Sequence, residues 1–445
     1  MQTRSLPIYY SLAQIIGYHD YRISLKDNYR EAVSEDSLYL NIWKPAGDVS
    51  KLPVLVYIHG GSLQTGQPWY GDYSGEGLAR EGVIAVNFGY RLGGFGYFAD
   101  EELAAEKASG TTGNYGLLDQ IKALEWVRDN VAAFGGDPNN VTLAGESAGA
   151  ASVSALCTSP LAKGLFRRVI LESSTVASRE PPHSFRLLED ALAAGKELMA
   201  RHDCATMDAL RTLPAEDLVD DAYTEHHITV DGYALTKNPY EAYLAGEVNE
   251  TAVLHGCNAE ESAAFLILQN ASLKDYEQRV RDYFGAYADR VLTLYPATTD
   301  KEAKEFWADI YGNIFFGYSH YCMNRLENQL GIPAYQYYFT KTNGRLGCWH
   351  SGEEIYFYGN LPERSRLFDE TDRALGEQMT AYFLNFIRTG DPNGPALDGS
   401  GQLPPWAPNS EDAGDLLELG DRVSMVREQH LKLYAILDEM QGFAE

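Results

Sequence analysis

Short apolar runs alternate along the chain with longer segments whose hydrophobic positions recur at helical spacing. Pro53-Val-Leu-Val-Tyr-Ile-His59 and Val83-Ile-Ala-Val-Asn-Phe88 are near-continuous apolar runs, as in strands covered on both faces. Ser37 to Trp43 alternates like a strand and stops before Pro45. Val141 to Ala144, Val169 to Glu172, Ala252 to Gly256 and Ala334 to Phe339 predict further short strands. Between them, Leu117, Ile121, Leu124, Val127 and Val131 mark one helical face, closed by Gly135-Gly136-Asp137-Pro138. Leu375 to Arg388 and Glu428 to Met440 read as two late helices, and Tyr10 to Ile16 as a short early one. Residues 185–250 read as mostly helical, and Ala264 to Asn324 as helix-rich and aromatic.

This alternation predicts an α/β fold with a mostly parallel central sheet and helices on both faces. No internal repeat or low-complexity linker divides the chain. The expectation is therefore a single domain over residues 1–445, with a helical cap or insertion at about 185–250 and 264–330.

Composition narrows the function classes. Hydrophobic residues make up 45% and charged residues 22% of 445 positions, as in soluble globular proteins. No run approaches the roughly 20 apolar residues of a membrane span. The N-terminus shows no basic-then-apolar-then-small pattern of a signal peptide, so a cytoplasmic location is expected. A net charge of −27 argues against nucleic acid or an anionic membrane as partner. Cys157, Cys204, Cys257, Cys322 and Cys348 are odd in number and not spaced as metal ligands; reduced thiols are expected, with no metal.

The chemistry centres on Val141-Thr-Leu-Ala-Gly-Glu-Ser-Ala-Gly-Ala150, where a strand pattern meets a helix pattern at Gly145-Glu146-Ser147-Ala148-Gly149. This is a G-x-S-x-G elbow, a tight turn that holds one serine up at a helix N-terminus. There the free N–H groups favour the negative charge that develops in acyl transfer. Glu146 reads as a buried structural partner pointing away from Ser147, and Asp119 as a helix-face residue.

A serine nucleophile needs a base, a group to orient that base, and donors for the oxyanion. In α/β-hydrolases the chain order is serine, acid, histidine. The strand Ala334–Phe339 leads into a loop reaching Gly347-Cys-Trp-His350, which favours His350 as base; His320 and His430 sit in helical patterns and read as surface or packing residues. The strand Ala252–Gly256 is followed by Cys257-Asn-Ala-Glu-Glu261, offering Glu260 and Glu261 as the acid. His59-Gly60-Gly61-Ser62 follows an early buried strand, where an oxyanion loop belongs. Trp349 and Phe265 flank these positions, as packing or as substrate contacts.

These segments resemble the type-B carboxylesterases, the family of bacterial p-nitrobenzyl esterases, liver carboxylesterases and cholinesterases. Ser34-Glu-Asp-Ser-Leu-Tyr-Leu-Asn41 is similar to the family's acidic signature, with serine for the usual cysteine. Asn114-Tyr-Gly-Leu-Leu-Asp119, Ala133-Phe-Gly-Gly-Asp-Pro138 and Gly145-Glu-Ser-Ala-Gly149 form a continuous matching block. Lys163-Gly-Leu-Phe166, Val230-Asp-Gly232, Arg388-Thr-Gly-Asp-Pro-Asn-Gly394 and Pro404-Pro-Trp406 extend it.

The resemblance implies an α/β-hydrolase fold with Ser147 as nucleophile, His350 as base within G-x-x-H-x-x-E, and Glu261 as acid. It implies an oxyanion hole from the N–H groups of Gly61, Ser62 and Ala148, with Gly60 shaping the turn. Ser62 stands where the family most often has a third glycine. Only about 33 residues precede the acidic signature, where relatives carry a small extra sheet. That shortened N-terminal region predicts an open site with little gain beyond short acyl chains.

The function expected is hydrolysis of small-molecule carboxylic esters, short-acyl or aryl, through an acyl-enzyme and without a cofactor. Amide or peptide cleavage on the same triad is the nearer alternative. A non-catalytic binding module of the neuroligin-like type is the further one. The sequence leaves monomer or homo-oligomer open.

Overall fold

Strand β2 (Leu52–Ile58) shows why its apolar run is unbroken. Val54, Val56 and Ile58 point into one buried cluster and Leu55 and Tyr57 into another, so both faces of the pleat need apolar side chains. The computed structural model describes residues 34–219, 226–266, 272–342, 347–365, 367–410 and 414–443. The helix expected at Tyr10 to Ile16 lies outside them.

The main sheet has nine strands. They are β1 (Leu40–Trp43), β2, β3 (Ile84–Phe88), β4 (Gly136–Glu146), β5 (Arg168–Glu172), β8 (Val253–Asn258), β9 (Ala334–Phe339), β10 (Asp415–Leu419) and β11 (Val423–Arg427), in the spatial order β1-β3-β2-β4-β5-β8-β9-β10-β11. Every pairing from β3 across to β10 is parallel; only the β1–β3 and β10–β11 pairs at the two edges are antiparallel. The fold is that of the α/β-hydrolases.

Register decides what the sheet presents. Ile58 pairs with Gly145, Glu146 with Glu172, Glu172 with Gly256, and Asn258 with Phe339. The carboxyl ends of β2, β4, β5, β8 and β9 are therefore level, and the loops leaving them meet at one edge, where parallel sheets bind ligands.

Helices α1 (Tyr115–Asn130) and α2 (Ala148–Thr158) border the cluster that holds Val54 and Val56, and the helix α4 (Glu370–Thr389) covers the other face. Every residue of α2 is buried, which its alanines and serines allow because small side chains let a helix lie close under the strands. A third cluster lies among the helices between Ala263 and Leu330, ending in α3 (Tyr318–Leu330), and the terminal helix α5 (Leu431–Met440).

Three differences from the sequence expectations concern strands. Phe185–Leu187 (β6) and Ile228–Val230 (β7) pair as a small parallel sheet within the segment expected to be mostly helical. The hairpin of β10 and β11 carries weak apolar alternation between polar connections and has no counterpart among the expected strands. Strand β4 starts at Gly136 rather than Val141, since Leu52 pairs with Gly136 across an irregularity in the ladder. Among the described residues no helix is long and apolar enough to cross a membrane.

Candidate active site

The elbow is built by close packing. A Cβ on Gly149 would collide with the Ile58 carbonyl oxygen, so α2 approaches β2 only because glycine stands there. Ser147 sits between β4 and α2 at φ 55°, ψ −125°, a strained conformation for a residue with a side chain. Its N–H donates to the Glu172 carbonyl (2.8 Å) and its carbonyl accepts from Ala151 N–H (2.9 Å). It occupies the N-cap position, yet its hydroxyl caps no helix N–H. The serine is half-buried and the ladder dictates where it stands.

The loop after β2 lies against this elbow. A Cβ on Gly60 would meet the Glu146 carbonyl and Oε2 at 2.7 Å and the Ser147 Cβ at 3.0 Å. Gly61, Ser62 and Leu63 all have positive φ (110°, 56° and 57°), and Thr65 N–H closes the loop onto the Gly61 carbonyl at 2.9 Å. Ser62 is exposed and adopts the left-handed conformation despite its Cβ. Ala148 opens α2 directly after Ser147. His59 anchors the loop: its ring stacks on Tyr90 with centroids 4.5 Å apart, and burial holds its pKa down to about 4, so it stays neutral.

His350 brings the remaining positions together. Its Nδ1 lies 2.5 Å from Glu261 Oε2, and Glu261 Oε1 accepts from the Asn258 N–H at 2.8 Å. Glu260 is exposed and turns to the Cys348 N–H (3.2 Å) instead. The two adjacent carboxylates thus part company because the turn after β8 sends one inward and one outward.

Glu146 is buried and partnered, as the sequence suggested, but its partners lie at the site: its Oε1 lies 3.1 Å from His350 Nε2 and accepts a hydrogen bond from Ser351 Oγ at 2.7 Å. Burial pushes the His350 pKa down, but Glu146 and Glu261 outweigh it and carry it to about 9.

Behind His350 sits a carboxyl network that sequence reasoning passed over. Glu353 receives the Tyr337 hydroxyl (2.9 Å), the Ser173 hydroxyl (3.1 Å) and the Asn258 side-chain amide (2.5 Å). Burial, then Glu261 and Glu146, raise its pKa to about 7. Glu172 and Glu354, paired to Tyr358 and Tyr57, are pushed well above the carboxylate range by burial first. The only sequence signal for any of them was Glu353, three residues after His350.

Aromatic rings wall the imidazole. Phe316 and Phe265 lie with centroids 4.8 and 5.2 Å from His350, and Phe265 remains 41% exposed. Phe316 belongs to the π-helical turn Asn313–Gly317 that joins the helix Asp300–Gly312 to α3. Trp349 is packed against the core, and its carbonyl accepts from Asn258.

The other titratable candidates fall elsewhere. Asp119 is more than a helix-face residue: its two oxygens accept from Arg91 Nε and Nη2, each at 2.7 Å. His320 is fully buried against His255 (3.0 Å), and the half-buried His430 links α5 to Asp309; both serve packing, one of the two roles the sequence suggested. Cys348 is buried and its thiol is pushed up to about 12 by burial. All five cysteines are free. Among the described residues no group of three or more His, Cys, Asp or Glu is placed to hold a metal.

Comparison with known proteins agrees with this architecture. The carboxylesterase family model matches residues 17–435. The chain is similar to a fumonisin B1 esterase of Sphingopyxis macrogoltabida, 32% identical over 425 residues that cover 90% of this chain and 75% of that one. It is also similar to carboxylesterase 1C of Rattus norvegicus, 31% identical, covering 87% and 73%. Among solved structures, a carboxylesterase of Geobacillus stearothermophilus at pH 6.2 superposes with a TM-score of 0.80 at 30% identity, covering 91% of this chain and 86% of that one. A parallel sheet with an elbow serine, and a sequence matched over most of its length by esterases, lead to one conclusion: this chain belongs to the carboxylesterase family.

Proposed function

We propose that this chain cleaves carboxylic esters through an acyl-enzyme formed on Ser147. His350 Nε2 takes the Ser147 proton as Oγ attacks the ester carbonyl. The N–H groups of Gly61, Ser62 and Ala148 receive the oxyanion, with Gly60 setting the approach of their loop. Glu261 holds the Nδ1 proton and supports the imidazolium, which then protonates the leaving alcohol. Water repeats the sequence and frees the acid.

The observation that carries this reading is the His350 ring, fixed through Nδ1 by Glu261 while Nε2 faces the residue next to Ser147. The uncapped Ser147 hydroxyl supports it as well. Substrates are proposed to be short-acyl or aryl esters, because Phe265 and Phe316 stand against the imidazole and offer flat aromatic surface.

A fluorophosphonate probe tests the chemistry. Wild type should be labelled at one serine and lose p-nitrophenyl acetate hydrolysis in proportion, whereas Ser147→Ala should take no label. Labelling of Ser147→Ala to the wild-type extent would overturn the assignment. An acyl series checks the substrate class: kcat/KM rising steadily from acetyl to decanoyl would contradict it, since each buried methylene contributes about 0.8 kcal/mol only where a long apolar channel exists.

A further inference from the structure

We infer that Ser351 is a positioning residue, which engages the Glu146 carboxylate and so limits how firmly that carboxylate retains the His350 proton. The inference rests on the proposed roles of Ser147 and His350. Trp349 to Gly352 form a reverse turn closed by the Gly352 N–H on the Trp349 carbonyl at 2.8 Å. Ser351 is its third residue, at φ 67°, where glycine is the unstrained choice. A side chain kept at such a position is a reason to ask what it does.

The Ser351 hydroxyl has a definite target. Its Oγ donates to Glu146 Oε1 at 2.7 Å, and the same oxygen lies 3.1 Å from His350 Nε2. Glu146 Oε2 faces the Gly60 backbone. Serine and imidazole thus share one carboxylate oxygen. A hydrogen bond to a carboxylate spreads its charge and weakens its hold on a second donor.

The conflict being tuned is specific to this site. To act as base, His350 must offer Nε2 unprotonated to Ser147, while a carboxylate beside Nε2 favours keeping that proton. Glu261 and, farther off, Glu353 also favour the imidazolium while burial opposes it; Phe265 and Phe316 carry no charge, and His183, held down to about 4 chiefly by its own burial, is neutral where His350 titrates. Around Glu146 stand Glu172, Glu353 and Glu354 with Tyr57, Tyr90 and Tyr358.

The test is the acid limb of kcat/KM against pH, on p-nitrophenyl acetate, for wild type, Ser351→Gly and Ser351→Ala. Both variants should move the limb up by roughly half a pH unit, about threefold less activity on its acid side, with a similar plateau. Ser351→Gly should melt no lower than wild type, because glycine relieves the turn. A merely structural role for the turn predicts an unshifted limb in Ser351→Gly. Limbs within ~0.2 unit of wild type, or displaced downward, overturn the inference. In a Glu146→Gln background, removing the Ser351 hydroxyl should leave the limb where Glu146→Gln puts it; a shift that persists there overturns the route through Glu146. Ser147→Ala separates the two levels. If it is inactive while the limbs stay put, only the Ser351 role fails; if it keeps wild-type activity, the nucleophile assignment fails and this inference with it.

Discussion

His350 and His430 have nearly the same immediate surroundings. Each is a buried or mostly buried imidazole clamped between two carboxylates: Glu261 and Glu146 at 2.5 and 3.1 Å, Glu428 and Asp309 at 2.7 and 3.2 Å. In each, burial would lower the pKa and the carboxylates more than reverse it, to about 9 and about 10. Their difference is position. His350 hangs from a loop after β9, beside the elbow at the carboxyl edge of the sheet. His430 precedes α5 and ties it to the helix Asp300–Gly312. Carboxylate clamping favours the imidazolium at both; His350 alone stands beside the elbow, where the proposed serine chemistry would make use of losing that proton.

The contrast breaks most sharply at the serine. Ser147→Ala should reduce kcat by about 10⁶, the scale of loss when the triad serine of subtilisin is removed, while the fold and its far-ultraviolet dichroism persist. Residual turnover within roughly tenfold of wild type would remove Ser147 from the mechanism.

Next come the clamping carboxylates. Glu261→Gln should lower kcat by about 10⁴, by analogy with the loss on amidating the triad acid of chymotrypsin. Glu260→Gln should stay within about threefold, since its exposed carboxylate accepts from the Cys348 N–H at 3.2 Å and makes no hydrogen bond to His350 among the described residues. A larger loss at Glu260 than at Glu261 would reverse the assignment.

The pH profile sharpens the comparison. Activity needs neutral His350, so the acid limb of kcat/KM in the free enzyme should lie above the ordinary histidine value of about 6.5, towards about 9. Glu146→Gln should lower it by removing one of the three carboxylate charges that retain the proton. A wild-type limb at or below about 6.5 would show that the clamp does not act as its geometry implies.

The smallest effect belongs to His430. His430→Gln should leave kcat unchanged and lower stability by roughly 1–3 kcal/mol, because Glu428 loses a charged partner in a mostly buried place. His430 has a folded pKa raised to about 10, so its stabilisation is fully present below the unfolded value near 6.5 and is lost as pH rises through about 10. The difference in urea midpoint between wild type and His430→Gln should therefore shrink as pH rises towards 10. A constant difference would mean that the ring is held by packing alone.

The chain by itself determined a good deal. Its unbroken apolar runs can satisfy only a sheet covered on both faces, and the observed β2, β3, β5, β8 and β9 fall on them within one or two residues. The elbow glycines announced a turn too tight for side chains, and the order of serine, acid and histidine along the chain marked which loops to watch. Local pattern could not reveal the pair β6 and β7, whose short strands acquire their identity from each other across a long segment, or the edge hairpin of β10 and β11, which is fixed by the pairing of β10 with the distant β9. Nor could it tell which side of the elbow Glu146 serves. That depends on a loop about two hundred residues later, which folds back to bring His350 and Ser351 onto one carboxylate oxygen. Backbone periodicity is a local property and is written in the chain. The proton affinity of a buried group is the sum of charges that only the tertiary fold assembles.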